Sequence, residues 1–381
     1  MFQRILIANR GEIALRVIRT AREMGIECVA VHSADDSKAL HVRMAHRAIC
    51  LPGSTPQENY LCPEALLEAA RVSGAEAIHP GYGFLSENAD FARAVVEAGL
   101  AWIGPPPEAI AVMGDKIESR RAMGVAKVAC VPGMTDPVAD LAEALSAGEG
   151  IGYPIAIKAA AGGGGKGIRI VREPGDLESA FRAASGEALS AFGDGRLYLE
   201  RYLDQPRHVE IQVLFDQHGN GVHLFDRECS IQRRHQKLLE EAPSPVVDAA
   251  TRDAMGAVAL KAAAHVNYQG AGTVEFLWAD GEFFFLEMNT RIQVEHPITE
   301  MITGVDLVRQ QLLVAAGEKL EFSQSDLSVT GHSIEVRINA EDALMNFQPC
   351  TGVLQNLRAP GGPGVRLDTG MYRGMEVGPK Y

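Results

Sequence analysis

The stretch Phe283-Phe-Phe-Leu286-Glu287-Met-Asn289-Thr-Arg291-Ile-Gln293-Val-Glu295-His296 joins an apolar aromatic run to a dense set of polar groups. Residues 283–286 read as a buried strand. Glu287 and Asn289 share one face if the chain stays extended, because side chains alternate with period two. Two hard oxygen donors so placed suit Mg²⁺, which favours carboxylates together with substrate phosphates. Arg291, Gln293 and Glu295 carry on the same parity. An anion-binding guanidinium and a possible base would then follow the metal ligands directly. A solvated strand end with incidental ion pairs is the plainer reading, but it leaves the crowding behind an aromatic strand unexplained.

Working outward, Gly272-Thr-Val-Glu275-Phe-Leu-Trp278 and residues 282–288 form a hairpin by the Asp280-Gly281 signal. An ideal two-residue turn would send Glu275 and Glu287 to opposite faces. An odd loop or a bulge would make them neighbours. The irregular turn is expected, since paired carboxylates near a phosphate loop make a magnesium cage. The phosphate loop is Gly162-Gly-Gly-Gly165-Lys166-Gly167, between strands at 153–161 and 168–171. It is no P-loop, because a strand follows it and Gly167 replaces the Ser or Thr. Bare backbone amides in a row can still fold over phosphate oxygens, and glycine lets such a loop open and close.

The N-terminal segment reads as a strand at 4–9, a helix at 13–24 and a strand at 27–31, a βαβ start that predicts a parallel sheet with helices on both faces. Its first turn lacks G-x-G-x-x-G, which weakens a dehydrogenase reading. A helix at 63–73 leads to a strand end at 77–79. The glycine-rich connection His79-Pro-Gly81-Tyr82-Gly83-Phe-Leu-Ser86-Glu87-Asn88 then lies where ligands of open α/β sheets sit. Pro105-Pro-Pro107 marks a boundary. Residues 108–123 read as one helix carrying Lys116, and 137–148 as a helix on a small lobe. Strands follow at 197–203 and 207–214. The basic run Gln232-Arg-Arg-His235-Gln-Lys237 comes next, then a helix at 251–267. Residues 331–342 read as one alternating strand with Glu335, Arg337 and Asn339 on its polar face.

Bulk properties bound the reading. The 381 residues are 46% hydrophobic and 22% charged, enough for two or three globular domains. A net charge of −13 argues against a nucleic-acid binder. The six cysteines show no zinc spacing and read as reduced thiols in a cytosol-like compartment. No apolar run approaches the ~20 residues of a membrane span. No signal peptide is visible, although a processed organellar protein would read the same.

Taken in order, these segments resemble biotin carboxylase, the ATP-grasp component of biotin-dependent carboxylases. The resemblance covers essentially the whole chain. It is carried by Ile7-Ala-Asn-Arg-Gly-Glu-Ile13, residues 79–88, Met113-Gly-Asp-Lys116, residues 158–167, Arg207-His-Val-Glu-Ile-Gln-Val213, Gln232-Arg-Arg-His-Gln-Lys237, residues 287–300 and Arg337-Ile-Asn-Ala-Glu-Asp342. It implies an α/β and α+β ATP-grasp fold. Residues 1–114 would be a doubly wound N-terminal domain. Residues 115–317 would be the ATP-grasp region, with a small mobile lid at about 131–203. Residues 318–381 would be an incomplete C-terminal domain with an antiparallel sheet.

The resemblance also implies roles. Lys116 and Lys158 would contact nucleotide phosphates beneath Gly164 and Gly165. Glu200, Arg201, Tyr202 and Leu203 would form the hinge that holds adenine, with further contacts from His208, Gln232 and His235. Glu275, Glu287 and Asn289 would ligate two Mg²⁺ or Mn²⁺ ions. Lys237, Arg291, Gln293 and Val294 would hold bicarbonate. Glu295 would be the base, and Arg337 with Tyr82 would face carrier-linked biotin. The implied partners are a biotin carboxyl carrier, a carboxyltransferase and a second copy in a full-length homodimer, in the cytoplasm. Lys166 stands where many relatives have arginine, and Pro349-Cys-Thr-Gly352 where the family has Pro-Ser-Pro-Gly. Three other readings stay open: the carboxylase part of a pyruvate carboxylase, another ATP-grasp ligase, and an inactive nucleotide-binding fragment.

Overall fold

Strands and helices alternate from the first residues. β1 (Arg4–Ile7), α1 (Gly11–Glu23), β2 (Glu27–His32), α2 (Leu40–Met44), β3 (Arg47–Cys50), α3 (Pro63–Ser73), β4 (Ala77–His79), α4 (Ala89–Glu97) and β5 (Ala101–Trp102) make up the N-terminal unit. The computed structural model describes residues 1–160, 168–234, 236–279 and 281–380. The strands form a parallel sheet ordered β3-β2-β1-β4-β5. The order reverses between β1 and β4, so the loops after these two strands border a crevice. Asn9 Nδ2 ties those loops together, donating to Pro80 O and Tyr82 O at 2.7 Å each.

The helix expected over 108–123 is two helices, α5 (Pro107–Gly114) and α6 (Lys116–Val125). Asp115 breaks it. Its backbone is extended and its carboxylate accepts from Ile117 N at 2.8 Å and Glu118 N at 3.1 Å. A short acid satisfies the orphan amides of a new helix better than it continues an old one. The next helix also starts later than expected. α7 (Leu141–Ile151) begins after Asp140, which caps it through Glu143 N.

The small lobe holds β6 (Ile155–Ala159), β7 (Ile168–Val171), α8 (Leu177–Phe192) and β8 (Leu197–Arg201). Its antiparallel sheet runs β7-β6-β8. The glycine loop, with Gly164 and Gly165, lies outside the described residues.

A six-stranded antiparallel sheet follows, in the order β13-β12-β9-β10-β11-β14. Its strands are β9 (Arg207–Phe215), β10 (Gly221–Arg233), β11 (Gln236–Ala242), β12 (Gly270–Ala279), β13 (Glu282–Asn289) and β14 (Ser333–Val336). α9 (Ala249–His265) backs one face, and α10 (His296–Thr303) and α11 (Leu307–Ala315) follow β13. The strand expected over 331–342 ends as an assigned strand at Val336, although Arg337 N still donates to Leu238 O at 3.0 Å. Glu341–Asp342 pairs instead with Gln348–Pro349, which draws the chain away from β11.

One buried cluster joins Ile5 and Ile7 of β1, Val17 and Ile18 of α1, Leu214 and Leu224 of the large sheet, and Val308 and Leu312 of α11. The first sheet and the large sheet therefore share a core. A second cluster packs Ile211, Val213, Val274 and Phe276 against Met255 and Ala259 of α9. The small lobe has its own core around Ile155, Ile157, Leu197 and Leu199. All six cysteines are unpaired thiols. Among the described residues, no helix is long and apolar enough to cross a membrane.

Candidate active site on the polar face of the large sheet

The hairpin places Glu275 directly opposite Glu287, by a route different from the expected one. From Ala279↔Glu282 to Phe276↔Phe285 the register is that of an ordinary two-residue turn. The shift comes between Glu275 and Phe276, where Leu286 is the extra residue on β13. Phe276 and Phe285 are both buried in apolar packing. Burying that pair while turning both carboxylates to the other face requires one extra residue, and a bulge supplies it. The row continues across the sheet. Glu275 also faces Glu210 on β9, and Glu210 faces Arg227 on β10. Behind it, Thr273 faces both Gln212 and Asn289.

The period-two reading of Arg291, Gln293 and Glu295 does not hold. β13 ends at Asn289, and Glu295 is the residue that precedes α10, after a turn. Tertiary contacts bring the groups together instead. Gln293 Nε2 donates to Glu275 Oε1 at 3.1 Å. Arg291 donates to Asn289 Oδ1 at 2.9 Å and to Glu87 Oε2 at 2.8 Å. Thr290 N adds a bond to Glu87 Oε1 at 3.1 Å, so the crevice loop of the first sheet anchors this turn. Val294 is half-buried within the turn.

Lys237 stands at the centre. Its ammonium donates to Glu210 Oε2 at 2.5 Å, Glu275 Oε1 at 2.8 Å and Glu295 Oε1 at 2.7 Å. Arg337 grips the other Glu295 oxygen at 3.0 Å and Glu240 Oε1 at 2.7 Å. Burial alone would discharge these groups, but the opposite charges outweigh it. Lys237 is held charged well above its usual range by its three carboxylates. Burial would raise Glu295, yet Lys237, Arg227 and Arg337 bring it down to about 2. Glu275 also lies well below the usual range, mainly because Lys237 and His208 overcome its burial. Glu287 goes the other way, raised by burial and then by Glu275. A pair of facing carboxylates, one of them driven toward protonation, is a place where a divalent cation fits. Asn289 Nδ2 donates to Glu275 Oε1 at 2.8 Å, which holds the amide in the same set.

Among the residues expected to bind nucleotide, Lys116 is the first residue of α6, its pKa lowered by burial. The Lys158 ammonium is bonded to Glu200 rather than pointing away from protein, and Arg120 Nη1 reaches the other Glu200 oxygen at 3.2 Å. The buried Glu200 carboxylate is thus a counter-ion. Of the residues expected to form the hinge, Tyr202 and Leu203 are half-buried, while Arg201 is exposed. His208 Nε2 lies 2.7 Å from Glu275 Oε2, and Gln232 Nε2 lies 3.2 Å from His208 Nδ1. His235 lies outside the described residues. Tyr82 is half-buried and packs against the core shared with α1, in the loop that carries Glu87.

The sequence reading missed Glu210, Glu87, Arg227, Arg120 and Glu240 as members of the site. Glu210 had a signal: it shares the polar parity of β9 with His208 and Gln212. Glu87 lies within the glycine-rich loop, but nothing local says that it meets Arg291. Arg227 sits between Asp226 and Glu228 and gives no local signal at all.

Three family models match in sequence. Residues 1–110 match the biotin carboxylase N-terminal domain, 115–323 the ATP-binding domain of the carbamoyl-phosphate synthase L chain, and 335–381 the biotin carboxylase C-terminal domain. The chain belongs to the biotin carboxylase family. It is 52% identical to a biotin carboxylase from Haemophilus influenzae, spanning 100% of this chain and 85% of that one. It is 53% identical to a pyruvate carboxylase subunit of Methanothermobacter thermautotrophicus, over 100% and 78%. Among solved biotin carboxylases, the domain of Hydrogenobacter thermophilus 2-oxoglutarate carboxylase, in complex with MgADP, ADP and bicarbonate, superposes with a TM-score of 0.95 at 49% identity, covering 100% of this chain and 84% of that one. The Campylobacter jejuni biotin carboxylase gives 0.95 at 44% identity, over 99% and 84%. Biotin carboxylases are ATP-dependent carboxylating ligases, and the ATP-grasp architecture expected from the sequence is the one this chain has.

Proposed function

We propose that this chain carboxylates carrier-linked biotin in an ATP- and bicarbonate-dependent reaction through carboxyphosphate. The observation that carries this reading is Glu295, held between Lys237 and Arg337 next to facing carboxylates. Lys116 and Lys158 bind the nucleotide phosphates. Glu275, Glu287 and Asn289 would hold the two Mg²⁺ or Mn²⁺ ions that neutralise phosphate charge. Lys237, Arg291, Gln293 and the Val294 backbone orient bicarbonate. Glu295 accepts its proton as the oxygen attacks the γ-phosphorus and ADP leaves. At about 2, Glu295 is fully ionised but weakly basic. Anionic substrates that draw Lys237 and Arg337 toward themselves raise its basicity where the proton must be taken.

Carboxyphosphate then breaks down to CO₂ and phosphate. The phosphate so released takes the proton from the ureido nitrogen of biotin, and that nitrogen attacks CO₂. Arg337, permanently cationic, stabilises the enolate-like ureido anion, and Tyr82 lines the biotin side. A carrier protein or domain presents the biotin, and a carboxyltransferase consumes the carboxybiotin, in the cytoplasm of the cell. The final acceptor is an acyl-CoA or a keto acid, since both kinds of carboxylase use this same half-reaction. ATP cleavage measured with and without bicarbonate and biotin tests the reading. Strong dependence on both is expected, and cleavage indifferent to bicarbonate sinks it. Glu295→Gln should abolish the bicarbonate-dependent part, and unchanged turnover in that variant would remove Glu295 as the base.

A further inference from the structure

Arg227 is fully buried, with no exposed side-chain surface, and lies one strand away from the Lys237 cluster. Its guanidinium has five N–H groups, and each has a buried acceptor. Nε donates to Glu210 Oε1 at 2.6 Å. Nη1 donates to Gln212 Oε1 at 2.7 Å and Thr299 Oγ1 at 3.0 Å. Nη2 donates to Thr273 Oγ1 at 3.0 Å and Gln293 Oε1 at 2.7 Å. The bonds reach β9, β12, the turn after β13, and α10, whose preceding residue is Glu295.

The bond to Gln293 has a chemical consequence. A carboxamide has an acceptor end and a donor end. With its oxygen on Arg227, Gln293 can offer only N–H to the other side, where Nε2 already meets Glu275 Oε1 at 3.1 Å. Flipping the amide would set NH₂ against a guanidinium donor and leave a buried cation bond unmade, which disfavours the flipped state. Arg227 also divides the Glu210 carboxylate, taking Oε1 and leaving Oε2 for Lys237.

We propose that Arg227 is a positioning residue that locks Gln293 as an obligate donor toward the bound anion and so sets bicarbonate affinity without touching bicarbonate. This rests on the reading that bicarbonate binds beside Gln293. Arg227→Lys keeps a cation beside Glu210 but cannot reach five acceptors in one plane. It should raise the KM for bicarbonate at least tenfold while leaving the KM for ATP within about twofold. A folded Arg227→Lys enzyme with an unchanged bicarbonate KM overturns the proposal. So does one whose KM values for ATP and bicarbonate rise together, because a merely structural role predicts that.

Gln293→Glu and Gln293→Met provide a second measurement that does not depend on how Arg227→Lys folds. A locked donor predicts that glutamate, which keeps an oxygen on Arg227 but presents another to the anion, raises the bicarbonate KM more than methionine does. An equal or smaller effect of glutamate means that the amide is not locked, and overturns the role of Arg227. If neither Gln293 variant moves the bicarbonate KM, bicarbonate does not bind beside Gln293, and the proposal falls along with that placement.

Discussion

Arg337 illustrates how one side chain acquires its task from its counter-ions. It is bonded to Glu240 and Glu295 at once, and Glu240 stands opposite Glu335 across β11 and β14. Arg337→Ala should retain nucleotide binding and lose at least a hundredfold of biotin carboxylation, measured by ATP titration and by carboxylation of free biotin. Wild-type-like carboxylation would rule its role out. Burial and then the neighbouring Glu240 raise Glu335 to about 9, and burial raises Glu240 to about 7. A carboxyl whose folded pKa is raised binds protons in the native state that the unfolded chain has already lost. Its stabilising effect is complete below about pH 4.5 and is lost as the pH rises toward 9. Glu335→Gln should therefore melt progressively higher than the wild type as pH goes from 5 to 9. A melting-temperature difference independent of pH would refute this.

At the level of elements, breaks in regular structure position the site. The Leu286 bulge turns Glu287 toward Glu275, and the Asp115 cap starts α6 so that Lys116 occupies its first position. Removing the cap by Asp115→Ala should cost about 1 kcal/mol of stability by urea unfolding, and Asp115→Asn much less. The same Ala variant should raise the KM for ATP by a few-fold through Lys116. An unchanged ATP KM would detach the cap from the site. Such breaks are partly legible in the sequence. The need for paired carboxylates anticipates the facing of Glu275 and Glu287, but an irregular turn is not its cause. The strand register beside the turn is unshifted, and the aromatic pair Phe276–Phe285 forces the shift further along. The Gly114-Asp115 break escapes a reading by periodicity because apolar spacing runs on through it.

For the molecule as a whole, the parallel sheet and the large antiparallel sheet are one packed unit, clamped by Arg16. That side chain, 6% exposed, donates to Glu300 Oε1 at 2.7 Å, Asp306 Oδ1 at 2.8 Å and Thr20 Oγ1 at 2.5 Å. It links α1 to α10 and the start of α11, and Glu295 immediately precedes α10. Arg16→Ala leaves the buried Glu300 carboxylate paired with Arg366 but without Arg16, and should cost about 3 kcal/mol in equilibrium unfolding, the low end for a broken buried pair. A loss below about 1 kcal/mol would mean that the apolar core alone joins the two sheets.

Within its 381 residues, the sequence by itself determined the periodic features. These are the βαβ start, the alternating strands, the glycine connections and the ordered motifs that carry the family resemblance. Such features depend on chemistry within a few residues of one another. The tertiary structure alone decided which charges meet. Glu87 reaches Arg291 from 204 positions away, and Arg227 reaches Gln293 from 66. Glu295 joined the site after its strand had ended, because a helix start and two cations hold it there rather than strand parity. Electrostatic partners in a buried site are chosen by distance in space and by the cost of leaving a charge unpaired, and neither can be read from spacing along the chain.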